Sequence, residues 1–150
     1  MSITLPRSET SGGIAYHRSG NPDGIPVVLV HGVGLRSESW YQQIDALQAQ
    51  YDVFAMDMPG HGESVLINKS PPELADFIEQ LAAFIESTVG RPAVIVGHSM
   101  GALLALTLAK THPQLCLGIV AMNAVYQRSD AARQAVQTRA ASLREAPQTD

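Results

Sequence analysis

The fold is decided by one stretch of the chain, residues 93–113, which reads AVIVGHSMGALLALTLAKTHP. Its first six residues are mostly β-branched or small and apolar, which predicts a strand buried on both faces. The residues after Ser99 are apolar almost all round, which predicts a buried helix that ends before Pro113. Because Gly97 and Gly101 flank the serine in a G-x-S-x-G pattern, the sequence predicts a sharp strand-to-helix turn with Ser99 at its tip.

The alternation of strand and helix extends through the rest of the chain. Further apolar runs predict strands at 27–31 (VVLVH), 53–57 (VFAMD) and 117–122 (LGIVAM), and helical periodicity appears around 40–47 and 74–85. Strands that alternate with helices and are apolar on both faces indicate a mainly parallel sheet. The predicted fold class is therefore α/β, with three layers in the order α/β/α.

Two local signals refine this outline. The segment GIAYHRSG at 13–20 predicts an antiparallel edge strand, paired with SITLP at 2–6. Ser70 and Glu73 have the spacing of a capping box, with prolines in the first turn, so the second helix is predicted to begin there. Gly90 is predicted to end that helix.

Composition excludes several classes of partner. The chain carries 14 acidic and 10 basic residues, for a net charge of −4, without a basic stripe that could neutralise phosphates. We therefore expect no nucleic-acid partner. The apolar runs are shorter than a bilayer span and the first residues do not read as a signal peptide, so we expect a cytoplasmic protein without membrane segments. A single cysteine, Cys116, permits no intrachain disulfide.

Ser99 is placed where an open parallel sheet binds ligands, beyond the carboxyl end of a strand. A tight turn would lift its hydroxyl clear of the backbone, and the helix that follows would direct its positive end at a developing oxyanion. A loop after the first central strand, HGVG at 31–34, could present a backbone N–H toward the same place. We predict Ser99 as nucleophile, with the amides of Val33 and Met100 as oxyanion donors. The alternative is that Ser99 merely caps a helix.

With HGVG, DMPGHGES at 57–64 and GHSMG in this order, the sequence resembles the α/β-hydrolase fold family, of the serine esterase and lactonase type, over residues 13–145. The resemblance implies an acyl-enzyme on Ser99, a small-molecule ester or lactone substrate, and a helical lid after the strand at 117–122. It divides the chain into residues 1–126, the N-terminal part of the core, and 127–150, the start of an incomplete lid. Periodicity alone fits a solvated surface helix at 127–146 equally well.

A serine hydroxyl needs a base, and the family places the acid and then the histidine downstream of the serine. We expect both beyond residue 150, so the chain is expected to be part of a longer enzyme, inactive by itself, with the far side of the strand at 117–122 exposed. A second chain that supplies both groups is the alternative. The polar residues present are expected to be structural: His17, His31, His61, His98, His112, Asp57 and Asp130. Some relatives, such as haloalkane dehalogenases, place the acid at the position of Asn123, which is an amide here.

Other functions are disfavoured by particular residues. GVGLRS at 32–37, followed by Asp57, resembles a dinucleotide fingerprint, but Ser37 occupies the third glycine position. We therefore expect no nicotinamide cofactor. Residues with the spacing of metal ligands on one helix face are lacking, so no metal is expected. A serine also disfavours dehalogenases and epoxide hydrolases, whose nucleophile in this fold is aspartate. Thioester and C–C hydrolysis, haloperoxidase activity and a non-catalytic binding role remain as alternatives to ester or lactone hydrolysis.

Overall fold

The computed structural model describes residues 3–124 and 129–145. Within these ranges the chain forms strands and helices in the following order: β1 (Ser8–Glu9), β2 (Ala15–Gly20), β3 (Pro26–Val30), α1 (Tyr41–Leu47), β4 (Asp52–Met56), α2 (Leu74–Phe84), β5 (Ala93–His98), α3 (Met100–Thr111), β6 (Cys116–Met122) and α4 (Asp130–Glu145). Short 3-10 turns at Ser37–Trp40 and Pro113–Leu115 precede α1 and β6, and a π turn at Ile85–Val89 continues α2.

The strands form one mixed sheet in the order β1-β2-β4-β3-β5-β6. The pairs β1/β2 and β2/β4 are antiparallel, whereas β4, β3, β5 and β6 run parallel to one another. This topology confirms the predicted α/β class and the mainly parallel sheet. β4 lies on one side of β3 and β5 on the other, so the direction in which the sheet grows reverses there. Open sheets bind ligands at the carboxyl ends of strands at such a reversal.

Helices cover the two faces of the sheet unequally. α2 and α3 pack on one face, where Phe54, Ile95 and Leu104 are almost fully buried. The opposite face is covered over β3 and β4 by α1 and the turn before it, through Trp40 and Ile44. Burial on both faces explains why the sequences of β3 and β4 are apolar at nearly every position.

β6 is the last strand of the sheet within the described residues, where it pairs only with β5. Its side chains are less buried than its apolar sequence predicts, since Leu117 is 58% exposed and Val120 is 46% exposed. The exposed far side of this strand is the arrangement expected for the chain taken alone.

The partner of β2 differs from the prediction. The strand at Ala15–Gly20 is antiparallel as predicted, but it lies between β4 and the two-residue strand Ser8–Glu9, so it is not paired with residues 3–6. Leu5 instead donates its N–H to Glu38 Oε1 at 3.1 Å and packs against the α1 side of the sheet. The prediction was wrong because this contact, made with a distant residue, removes the segment from the sheet edge.

The start of α2 also lies later than predicted. Glu73 is the N-cap residue, and its capping box is formed with Asp76, whose carboxylate accepts the Glu73 N–H at 2.6 Å. Ser70 does not cap the helix, because Pro71 would then need helical backbone as the first helical residue, and the following Pro72 disfavours that conformation. Gly90 ends the helical segment in the left-handed conformation, with φ of 77°, as predicted.

α4 occupies most of the segment for which either a lid or a surface helix was predicted. Its side chains from 130 to 138 are exposed. The predicted boundary between 126 and 127 lies outside the described residues, so the division into core and lid stays a prediction. None of the described helices has the length and hydropathy needed to cross a bilayer.

Candidate active site

Ser99 occupies a strained turn between β5 and α3. Its backbone has φ of 57° and ψ of −116°, a region that side-chain-bearing residues rarely adopt. The turn is held because the Ser99 N–H donates to the carbonyl of Met122 at 2.9 Å, while the Ser99 carbonyl accepts from Ala102 at 3.0 Å. The side chain is partly exposed. The structure thus has the strand, turn and helix that the motif predicts, with Ser99 at the tip.

The two glycines of the motif permit close contact between α3 and the sheet. A methyl group on Gly97 would collide with the carbonyl of Gly101, and one on Gly101 would collide with the carbonyl of Val30 in β3. These neighbours are backbone atoms, which cannot rotate away. Glycine at both positions therefore sets the depth at which the amino end of α3 sits against β3.

The loop after β3 lies directly beside Ser99. A Cβ on Gly32 would be 3.1 Å from Ser99 Cβ, a contact so tight that one of the two segments would have to shift. The Val33 side chain is 66% exposed, and its N–H has no acceptor among residues 3–124 and 129–145. Met100 is the first residue of α3, where backbone N–H groups lack helical partners. Val33 thus follows a glycine that lies beside Ser99, and Met100 follows Ser99 directly, while their role as oxyanion donors stays a prediction.

His31 connects this loop to the turn after β4. It is fully buried; its Nε2 accepts the Met58 N–H at 2.9 Å and its Nδ1 lies 2.8 Å from the Gly32 carbonyl. With one ring nitrogen accepting, the other must carry the proton and donate to that carbonyl. Burial lowers the pKa of His31 to about 4, so the ring is neutral at pH 7.

Asp57 anchors the other end of the same loop. Its fully buried carboxylate accepts the Ser37 N–H and hydroxyl, both at 2.8 Å, the Glu63 N–H at 2.9 Å and the Arg7 Nε–H at 3.0 Å. Burial alone would raise the pKa of Asp57, but the hydrogen bonds from Arg7 and the other donors hold it below its ordinary value. Since these groups occupy the carboxylate, Asp57 has the structural surroundings expected of it. The contacts of Arg7 and Ser37 with Asp57 have no signal in the local sequence.

A cavity of about 290 Å³ opens next to the Ser99 turn on the α1 side of the sheet. His98 lies in its wall, and its Nε2 is 3.2 Å from the Asn123 Nδ2. Asn123 is exposed and has φ of 53°, so it joins Ser99 as a non-glycine residue with positive φ. The lining residues are His31, Leu35, Ser39, Trp40, Gln43, His98 and Met122.

Each of the remaining histidines has a polar contact of its own, and the His61 ring also lies 5.2 Å from the His31 ring. His17 Nδ1 lies 2.9 Å from the Pro6 carbonyl, His61 Nδ1 lies 3.1 Å from the Pro59 carbonyl, and His112 Nδ1 lies 2.8 Å from the Thr111 hydroxyl. Asp130 begins α4. In the part of the chain that the structure describes, no group of three histidine, cysteine or acidic side chains could hold a metal ion.

The fold and the serine turn agree with the comparison against known families. The model of the alpha/beta hydrolase fold family matches residues 25–150. The chain therefore belongs to the alpha/beta hydrolase fold family.

Two relatives of similar sequence are named as a hydrolase and an esterase. The chain is 39% identical over 123 residues to the (E)-2-((N-methylformamido)methylene)succinate hydrolase of Acinetobacter baylyi, a match to 82% of this chain and 46% of the relative. It is 35% identical over 97 residues to a pimeloyl-acyl-carrier-protein methyl ester esterase of Vibrio atlanticus, covering 65% of this chain and 34% of the relative. A solved structure of a hydrolase from Pseudomonas aeruginosa superposes with a TM-score of 0.80 at 27% identity, covering 95% of this chain and 54% of that one. The chain thus spans less than half the length of the two curated relatives.

Proposed function

We propose that this chain supplies the nucleophile and the oxyanion donors of a serine hydrolase that cleaves a carboxylic ester or lactone. The observation that carries the proposal is the backbone of Ser99, held with φ of 57° at the carboxyl end of β5 and at the amino end of α3. A strained residue is maintained where a protein uses it. Gly32 beside it brings the loop with the Val33 N–H to the same place.

In this reaction the Ser99 hydroxyl oxygen attacks the acyl carbon while a base removes its proton. The tetrahedral oxyanion accepts hydrogen bonds from the N–H groups of Val33 and Met100, and the positive end of α3 adds to its stabilisation. Collapse releases the alcohol, which takes up the proton, and leaves an acyl-enzyme on Ser99. Water then attacks the acyl carbon with the same base, releasing the acid and restoring the serine.

The acid and the histidine of the triad lie, in this proposal, on residues beyond the 150 of this chain. Support comes from the described side chains, because His31 and Asp57 are both buried and occupied by hydrogen bonds within the fold. The term full-length enzyme is used below for this chain together with the residues that complete the triad. We also propose that it acts on a small molecule in the cytoplasm.

Two alternatives to this function can be tested. The Acinetobacter relative is named for a substrate with a formamide group, so an N-acyl substrate is the second candidate, cleaved by the same chemistry. The other alternative is a binding protein that retains the fold without catalysis. The first predicts amide turnover that requires Ser99, and the second predicts ligand binding without turnover.

Pre-steady-state kinetics with a nitrophenyl ester tests the proposal. With this activated ester, acylation of Ser99 should be faster than deacylation, so the full-length enzyme should release a burst of nitrophenol equal to the number of sites. Ser99→Ala should abolish the burst, whereas the matched control Ser87→Ala, on the exposed turn after α2, should preserve it. Equal turnover by Ser99→Ala and the unmodified enzyme would refute the nucleophile.

A further inference from the structure

His31 has no place in the chemistry proposed above, yet it is held on both sides in the interior. Its ring is fully buried between β3 and the turn after β4, and each nitrogen has one backbone partner. One partner is the carbonyl of Gly32, where an added Cβ would come within 3.1 Å of Ser99 Cβ. The other is the N–H of Met58.

The carbonyl that His31 holds belongs to the same peptide unit as the Val33 N–H. A trans peptide is planar, so its C=O and N–H point in opposite directions. The Gly32 carbonyl accepts from His31 Nδ1 at 2.8 Å and from the Leu35 N–H at 3.1 Å, which fixes the direction in which it points. Fixing that carbonyl also fixes the Val33 N–H, which is directed the opposite way and has no acceptor in the described part of the chain.

The proton on His31 Nδ1 is itself set by a third group. Because the Met58 N–H donates to Nε2 at 2.9 Å, that nitrogen must present its lone pair, and the proton of the neutral ring stays on Nδ1. In the other tautomer, Nδ1 would present a lone pair to the Gly32 carbonyl and would repel it. Glycines at 32 and 34, the latter with φ of 79°, leave the loop backbone free to turn without this constraint.

We propose that His31 is a positioning residue that aims the Val33 N–H at the oxyanion, and that the Met58 N–H selects the tautomer that does so. The inference rests on the proposed function, in which Val33 is a donor. The far end of the loop is fixed by the same turn, since Ser37 donates its N–H and hydroxyl to Asp57. Residues 57 and 58 thus hold both ends of the segment that runs from His31 to Ser37.

Two variants of the full-length enzyme distinguish the role of His31 Nδ1 from that of Nε2. In His31→Asn the side-chain amide nitrogen lies as many bonds from Cα as Nδ1, so it can still donate to Gly32. In His31→Gln the amide reaches the place of Nε2 and leaves the Nδ1 donor missing. His17→Asn is the control, since His17 lies on β2, which β4 separates from β3.

Loss of one oxyanion donor costs about 100-fold to 1,000-fold in kcat. We expect His31→Gln to lower kcat per titrated site about 100-fold with KM within about twofold, because the donor acts mainly in the transition state. His31→Asn should regain about tenfold of that loss, and His17→Asn should match the unmodified enzyme. Unchanged kcat per titrated site in His31→Gln would overturn the positioning role. Activity retained by Ser99→Ala would instead overturn the proposed function.

Nitrogen NMR of the unmodified protein tests the same inference without activity, and it serves if the variants fail to fold. At pH 7 the His31 ring should be neutral with the proton on Nδ1 and a hydrogen bond from Met58 to Nε2. A proton on Nε2 would overturn the inference, because that tautomer cannot donate to Gly32.

Discussion

The contact between α3 and β3 at Gly101 predicts a large effect for the smallest possible substitution. In Gly101→Ala the new methyl carbon would lie 2.8 Å from the His31 carbonyl oxygen and 2.7 Å from the Val30 carbonyl carbon, whereas ordinary contact begins at 3.4 Å. All these atoms belong to the backbone, so α3 itself must move outward. Overpacking of this kind costs about 3 kcal/mol at the upper end of its usual range.

Alanine also favours a helix over glycine by about 1 kcal/mol, which leaves a net loss of about 2 kcal/mol in the free energy of unfolding. For a chain of this length such a loss corresponds to a fall in Tm of about 4–8 °C. Gly118→Ala is the matched control, because a methyl group there meets nothing within 4 Å. Its Tm should stay within about 2 °C of the unmodified protein. Thermal unfolding followed by circular dichroism gives both values, and equal Tm values for the two variants would refute the close-packing argument.

Three further predictions follow from buried charges and from the proposed chemistry. The unfolded chain takes up a proton on His31 below pH 6.5 and the folded chain does not until about pH 4, so stability should fall by about 2 kcal/mol between pH 7 and pH 5. Urea titrations should show this slope and its absence in His31→Gln; an equal slope in that variant would contradict the assignment. Asp57→Asn should cost about 2 kcal/mol, because the buried amide offers one acceptor oxygen to the donors of Ser37, Glu63 and Arg7, although Arg7 keeps its ion pair with Glu38. The exposed Asp23→Asn should cost little. EDTA should leave ester hydrolysis by the full-length enzyme unchanged, and a loss that a divalent ion restores would count against the serine mechanism.

The fold could be predicted because its main signals are local. β3 and β4 are buried at every position, and burial on both faces requires the unbroken apolar runs from which both strands were predicted. The position of residues 3–6 could not be predicted in the same way. That position depends on the hydrogen bond from the Leu5 N–H to Glu38, 33 residues away, and nothing in the local sequence indicates this hydrogen bond.

In the candidate site, too, the features set by local sequence could be predicted and the contacts between distant residues could not. The turn at Ser99 was predictable because glycines two residues away on either side determine it. The groups that hold the HGVG loop were not, since Arg7 and Ser37 meet Asp57 across 50 and 20 residues of sequence. The sequence indicated that His31 is structural, but only the packing shows which atom each ring nitrogen contacts.

Labelling with a fluorophosphonate probe tests the central claim most directly. Incubation of the full-length enzyme with the probe, followed by digestion and mass spectrometry, should place one adduct per chain on Ser99, with activity lost in parallel. Ser99→Ala should take up no label and should lose most of the catalysis above oxyanion and binding effects. An adduct on another residue with Ser99 unmodified, or full labelling of Ser99→Ala, would contradict the account.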